Sequence, residues 1–186
     1  MADEPAVLDT DTLSELSRGN PHVMERARAY LAGFGRLTIT SVTVFERLRG
    51  YGVSIREGKP FERQLQAFEV LVANCTVLPF DQEAARVAAQ IWSAVARGQR
   101  QLLGDILIAS IAASRRLPLV TRNKRDFERL ASASGVALRL TDWSGLPRRS
   151  QRLEIYTPGR IREFDKAEAE LRGGLPGPKG KKRGRR

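Results

Sequence analysis

Gly104-Asp-Ile-Leu-Ile-Ala-Ser-Ile-Ala-Ala-Ser-Arg-Arg-Leu-Pro-Leu-Val-Thr121 carries two patterns in succession. From Asp105 to Arg116 the residues are apolar almost all round the helical wheel, which predicts a central helix buried on most sides. Pro118-Leu-Val-Thr121 is then a short, continuous apolar run, as expected of a strand covered on both faces. A buried helix feeding such a strand belongs to a layered α/β fold with a mostly parallel central sheet.

The same alternation extends outward from this stretch. Ala6-Val-Leu8, Leu37-Thr-Ile-Thr40, Cys75-Thr-Val-Leu78 and Ala137-Leu-Arg-Leu140 read as four more strands. Glu83 to Arg97 reads as a helix with Ala84, Ala88, Ile91, Trp92 and Val95 on its inner face and Gly98 as its stop. Gly50 to Gly58 reads as loop. Trp92 is expected in the core, Trp143 as the anchor of the last segment, and Cys75 as a small buried hydrophobe. His22 has no His or Cys partner in the sequence pattern for metal or base chemistry.

A chain of 186 residues with 41% hydrophobic content can bury one sizeable core and needs no staple. The single cysteine rules out an intramolecular disulfide framework and fits a reducing compartment. The start, Met1-Ala-Asp-Glu-Pro5, lacks the basic and apolar regions of a signal peptide, and Ile106 to Ala113 is far short of the ~20 residues of a membrane span. The expectation is a soluble cytoplasmic protein with no membrane partner.

The net charge of +11 is unevenly spread. Pro147 to Arg186 holds 13 Lys/Arg and 5 Asp/Glu, which leaves 19 against 16 in the first 146 residues. The break Ser144-Gly-Leu-Pro147 sets the boundary between a domain, residues 1–146, and a basic C-terminal extension, residues 147–186. Within the extension, Thr157 to Arg172 reads as a short helix with Ile161, Phe164 and Leu171 on one face, followed by a disordered tail. Lys179, Lys181, Lys182, Arg183, Arg185 and Arg186 form a block suited to RNA phosphates, or to solubility alone.

The acids fall in a pattern of their own. Asp9 and Asp11 follow the first strand, Glu46 lies one turn into the helix after the second, Asp105 opens the buried helix, and Asn123 and Asp126 follow the fourth strand. In open parallel sheets the site forms outside the carboxyl ends of the strands, at the topological switch point. Clustered oxygen ligands with no His or Cys among them select Mg²⁺ or Mn²⁺. Each acid also has a purely structural reading. Asp105 suits a helix N-cap, Asp126 a first-turn acid, Asp9 and Asp11 turn or cap residues, and Glu46 a solvated helix face.

Four stretches then resemble one family. Leu8-Asp-Thr-Asp-Thr-Leu-Ser-Glu15 is similar to the opening signature of PIN-domain proteins, especially VapC-type toxins, which usually carry Asn where Asp11 stands. Ile39-Thr-Ser-Val-Thr-Val-Phe-Glu46, Gly104-Asp-Ile-Leu-Ile-Ala109 and Leu119-Val-Thr-Arg-Asn-Lys-Arg-Asp-Phe127 resemble the second, third and fourth motifs, in family order, over essentially Val7 to Trp143. The resemblance implies a PIN-like three-layer sandwich and a Mg²⁺-dependent endoribonuclease, the toxin of a type II toxin–antitoxin pair. It implies Asp9 and Asp105 as metal ligands, Glu46 as the residue orienting the nucleophile, and Asp126 or Asn123 as the fourth position. Thr10, Asp11 and Thr121 support them. It further implies a homodimer and an antitoxin that blocks the acidic site.

Two alternatives stand beside this reading. A catalytically silent PIN-like RNA-binding module would keep the fold without the reaction. A receiver-like signalling domain needs an Asp ending the third strand and a Lys ending the fifth. Here Leu78-Pro-Phe80 separates the third strand from Asp81, and the fifth leads into Thr141-Asp-Trp143 without a lysine.

Overall fold

Side chains that accept backbone N–H bonds mark where several helices start. In the computed structural model, which describes residues 4–96 and 102–145, Asp9 caps α1 (Thr10–Ser17) by accepting from Thr12 N at 2.7 Å. Asn20 caps α2 (Pro21–Phe34), with Pro21 in its first turn. Thr40 caps α3 (Ser41–Arg56), accepting from Thr43 N at 3.0 Å. After α4 (Glu62–Ala73), Asp81 caps α5 (Gln82–Ala94), accepting from Ala84 N at 3.0 Å. The starts of α6 (Leu103–Ser114) and α7 (Lys124–Ser134) have no side-chain cap.

Five short strands, β1 (Val7–Leu8), β2 (Thr38–Thr40), β3 (Thr76–Leu78), β4 (Leu119–Val120) and β5 (Leu140–Thr141), form one sheet in the order β3-β2-β1-β4-β5. Every pairing is parallel. The chain builds outward from β1 to β3, then returns to lay β4 on the other side of β1. The switch point therefore lies between the carboxyl ends of β1 and β4.

Helices cover both faces, as a parallel sheet requires. Alternation along the strands sends Leu8 and Val120 to one face and Val7 and Leu119 to the other. The first face packs Leu13, Leu16, Val23, Ala27, Tyr30 and Phe68 from α1, α2 and α4. The second packs Ala84, Ala88 and Ile91 of α5 with Ile106, Ile108, Ile111, Phe127 and Leu130 of α6 and α7. Burial of α6 on several sides is what the composition of its sequence requires. Trp143 is buried with its ring 5.6 Å from that of Tyr30, so the last described segment is anchored on the first face. Cys75 is buried, and desolvation pushes its thiol up to about 12, as for an inert core residue.

Three local expectations need correction. The stretch from Gly50 to Gly58 is mostly helix rather than loop, because α3 runs through it to Arg56. Each glycine costs a helix about 1 kcal/mol, and the packing of Tyr51 against Phe61 and Phe68 outweighs that cost. Trp92 is 36% exposed, not core, because the buried face of α5 runs through Ala84, Ala88 and Ile91 and the ring lies at its margin beside Leu103. The fifth strand pairs at Leu140–Thr141, later than the apolar run suggests, because Leu140 is the residue in register with Leu119. Gly98, the boundary at Pro147, the helix expected over 157–172 and the tail lie outside the described residues. No helix among the described residues is long and apolar enough to cross a membrane.

Candidate active site

The carboxyl end of β1 delivers Asp9 directly into the switch point. It is 3% exposed, and its carboxylate accepts from Thr12 N and hydrogen-bonds the Thr121 hydroxyl at the end of β4. Thr12 ties the same corner together by donating its hydroxyl to Val120 O at 2.9 Å. Burial raises the Asp9 pKa above the ordinary aspartate value despite these bonds. The structural reading of Asp9 as a cap is thus correct but incomplete, because one carboxylate both caps α1 and lines the site.

Asp105 is not a cap. The helix begins two residues before it, so its carboxylate sits in the first turn of α6 and faces the other acids. Its pKa is pushed up to about 6, by desolvation first and then by the charges of Asp9, Glu46, Asp126 and Asp11. Acids from α1, α3, α6 and α7 therefore share one electrostatic neighbourhood, as their positions after the strands predict.

Glu46 reaches this neighbourhood along a fixed path. Thr10, the first residue of α1, donates its hydroxyl to Glu46 Oε2 at 2.5 Å. Glu46 Oε1 occupies the space beside Gly104 that a Cβ there would fill. Glycine at 104 thus leaves room for the close approach of the Glu46 carboxylate, and its dihedral angles play no part in that. Behind Glu46, Arg47 donates to Ser14 Oγ at 3.1 Å and to Tyr51 Oη at 2.5 Å, and its guanidinium lies over the Tyr51 and Phe68 rings. Ser14 in turn donates to Thr10 O at 2.8 Å. This brace between α1 and α3 is invisible to a reading of the sequence. For Gly104 a signal does exist, its place directly before Asp105 in the third motif.

The fourth position is shared. Asn123 Nδ2 donates to Asp126 Oδ2 at 2.9 Å, and Asn123 N donates to Thr121 Oγ1 at 2.9 Å. Asp126 also pairs with Arg129 at 3.5 Å. Asp11 is exposed at the rim. Glu15, held by Asn20, Arg18 and Arg122, has its pKa lowered by those partners and braces the segment after β4.

The donors here are carboxylates, hydroxyls and an amide, all offering oxygen, which is the chemistry of Mg²⁺ or Mn²⁺. Repulsion at Asp105 also fits a cation. Among the described residues, no three His, Cys, Asp or Glu side chains converge as a complete ion cage. The two observations are compatible, because long-range repulsion needs only proximity. Mg²⁺ is ordinarily held by one or two carboxylates, with water and phosphate oxygens filling the remaining positions. Asp9 and Asp105 could supply those carboxylates.

Residues 6–133 match the PIN domain family. The chain is 33% identical over 139 residues to the tRNA(fMet)-specific endonuclease VapC of Salmonella typhimurium, covering 74% of this chain and 96% of that protein. It is 37% identical over 111 residues to the protein of the same name from Shigella flexneri, covering 59% and 77%. The structure of DNA-bound VapBC from Salmonella typhimurium superposes with a TM-score of 0.59 at 30% identity, over 75% of this chain and 98% of that one. On fold, motif order and sequence similarity together, the chain belongs to the PIN-domain family, in its VapC-type branch.

Proposed function

We propose that the protein is a divalent-metal-dependent endoribonuclease, the toxin of a toxin–antitoxin pair, with Mg²⁺ as its working ion and Mn²⁺ as a substitute. The observation that carries this reading is that the sheet's switch point brings together buried Asp9, Glu46 held by Thr10 against Gly104, Asp105, and Asp126 held by Asn123, with the Asp105 pKa raised by burial and by those carboxylates. Such a cluster is costly for the fold alone and useful for holding a cation. Relatives named as VapC endonucleases and ribonucleases support the reaction class, and the VapBC complexes support an antitoxin partner.

In this mechanism Asp9 and Asp105 would hold the ion, with Asp9 kept rigid by Thr12 and Thr121. Bound there, the ion would offset charge on the phosphoryl oxygens and lower the pKa of a water. Glu46, aimed by Thr10 and packed on Gly104, orients the attacking water and receives its proton. Asp126, fixed by Asn123, completes the outer side of the site. Lys124 and Arg125, in the same first turn of α7 as Asp126, would supply positive charge for phosphates flanking the cleaved bond.

The test is cleavage of a panel of structured RNAs, initiator tRNA among them, by the purified full chain. Cleavage is expected with Mg²⁺ or Mn²⁺ and not in excess EDTA, and Asp105→Asn is expected to abolish it. RNA binding without cleavage in either metal would instead establish the silent RNA-binding alternative.

A further inference from the structure

Arg47 follows Glu46 in sequence yet leaves α3 on a different side, because consecutive residues of a helix point about 100° apart. Glu46 leans on Gly104 of α6 and on Thr10 of α1. Arg47 turns toward α1 and α4 instead. Its Nη1 donates to Ser14 Oγ at 3.1 Å and its Nη2 to Tyr51 Oη at 2.5 Å. The guanidinium carbon lies 5.1 Å from the centroid of the Tyr51 ring and 5.6 Å from that of Phe68. These partners are a hydroxyl, a phenol and two ring faces, all uncharged, and Nε is buried with no partner among the described residues. An unbranched apolar side chain would fill the space beside the two rings without burying a charge or an unpaired donor. Packing alone does not account for an arginine here.

What the guanidinium adds is direction. Ser14 has one hydroxyl proton and donates it to Thr10 O at 2.8 Å. The serine oxygen is left to accept, and a guanidinium, which only donates, is the matching partner. Thr10 gives its own hydroxyl proton to Glu46 Oε2 at 2.5 Å. The links close into a ring that runs from Arg47 to Ser14, Thr10 and Glu46, and back to Arg47 through one peptide bond. This ring ties the start of α1 to the second turn of α3. Thr10 also follows Asp9 directly, so adjacent residues carry a candidate metal ligand and the anchor of Glu46. The planar fork of Arg47, held over the buried ring of Phe68, leaves the two helices little room to shear.

We infer that Arg47 is a positioning residue, acting through Ser14 and Thr10 to hold the Glu46 carboxylate in place for the attacking water. The inference rests on the endoribonuclease reading. Arg47 itself contacts neither RNA nor metal, because its Nη1 and Nη2 are engaged inside the protein. It sets the geometry of a group that acts on the water.

The experiment compares the unmodified chain with Arg47→Met, which keeps an apolar stem beside Phe68 and removes the donors. In steady-state RNA cleavage kcat should fall about tenfold, the low end of what a supporting partner costs, with KM for RNA unchanged. In a Thr10→Val background the same substitution should cost less than about twofold, because the path to Glu46 is already cut. The carboxyl carbon resonance of Glu46, followed by NMR without metal, should move in Arg47→Met in the same direction as in Thr10→Val. A lower melting temperature with unchanged kcat overturns the inference in favour of a simple weld between helices. A raised KM with unchanged kcat overturns it in favour of a direct phosphate contact. A full loss in the Thr10→Val background, or an unmoved Glu46 resonance, overturns it as well. If Arg47→Met does not fold, Ser14→Ala, which removes the acceptor alone, carries the same test. If the unmodified chain cleaves no RNA in Mg²⁺ or Mn²⁺, the nuclease reading fails separately, and the Glu46 resonance still decides whether Arg47 positions that carboxylate.

Discussion

Asp9 and Asp81 hold the same local position in two parts of the sheet. Each ends a strand connection, each caps the helix that follows, and each accepts one backbone N–H, from Thr12 at 2.7 Å and from Ala84 at 3.0 Å. Their electrostatics are opposite. Asp9 follows the central strand β1 at the switch point, is buried, and has its pKa raised by burial. Asp81 follows the edge strand β3, is exposed, and has its pKa lowered by the Ala84 hydrogen bond and by Arg115, 2.8 Å away. A helix cap explains the aspartate in both places and the function in neither. What separates them is the company each keeps: the first shares its neighbourhood with Asp105 and Asp11, the second has a guanidinium beside it.

The largest effect expected from this difference is on catalysis. Asp105→Asn, which removes one carboxylate from the cluster without changing its size, should reduce metal-dependent RNA cleavage by more than about 100-fold. That bound is the upper end of what a residue merely supporting a metal ligand costs. Asp9→Asn should do the same while keeping the cap, since asparagine caps as well as aspartate. Steady-state cleavage with circular dichroism as the folding check decides it. Full activity in either variant removes these residues from the reaction.

The second effect is on stability, and its sign is unusual for an aspartate. The Asp105 carboxyl has a folded pKa of about 6 against an ordinary 3.8. Below about pH 4 it is protonated in both states and contributes nothing to the pH dependence. As pH rises toward 6 the unfolded chain ionises first, so folding stability falls, and the loss is complete above the folded pKa. With allowance for solvent screening of a partly exposed group, the loss is on the order of 2 kcal/mol. In EDTA, melting temperature should therefore decline between about pH 4 and about pH 7 more for the unmodified chain than for Asp105→Asn. Adding Mg²⁺ at neutral pH should recover it in the unmodified chain only. Parallel pH curves for the two proteins would mean that the acids do not strain one another.

How much of this was legible in the sequence follows from the range of each interaction. Strands and the buried helix were legible because continuous apolar runs report burial on both faces, and five such runs alternate with helices. The shared edge of the acids was legible because each follows a strand or lies in the first two turns of the helix after one, or opens the buried helix, and a parallel sheet brings those points together. Contacts between distant segments were not. The glycines at 50 and 52 suggested a break, but Tyr51 between them packs on Phe68 from another helix and keeps α3 intact. Nothing local to Trp92 reveals that the buried face of α5 centres on Ala84, Ala88 and Ile91 and leaves the ring partly in water. The choice between Asn123 and Asp126 stayed open because the hydrogen bond joining them depends on how the turn after β4 closes. The cradle of Gly104 for Glu46 crosses from α3 to α6, beyond the reach of any periodicity.

That cradle gives a smaller and sharper test. In Gly104→Ala the new Cβ would collide with Glu46 Oε1, the end of a flexible side chain, so the fold should persist while Glu46 swings away from Thr10. Alanine also favours a helix over glycine by up to about 1 kcal/mol, so the melting temperature should hold or rise. Cleavage should fall between about 10- and 100-fold, the scale of a misplaced catalytic group. Thr10→Val, which removes the donor but not the space, should cost about tenfold. A loss of stability with unchanged cleavage in Gly104→Ala would show that Glu46 serves packing rather than chemistry.

The smallest effect is the one expected at the other end of the comparison. Asp81→Asn keeps an oxygen for Ala84 N, so α5 retains its cap. The ion pair with Arg115 is lost, but Arg115 still donates to Pro79 O at 3.1 Å and is not left without an acceptor. Because the Asp81 pKa is depressed, its contribution to stability is present above the ordinary aspartate value and is lost as pH falls through the folded one. The variant should therefore match the unmodified chain near pH 2, where both carry an uncharged group, and melt slightly lower at neutral pH, with a difference that added salt shrinks because the pair is exposed. RNA cleavage and its Mg²⁺ dependence should not change at all. If Asp81→Asn instead lowered cleavage as Asp105→Asn does, the edge of the sheet would belong to the site, and placement at the switch point would no longer distinguish a working carboxylate from a structural one.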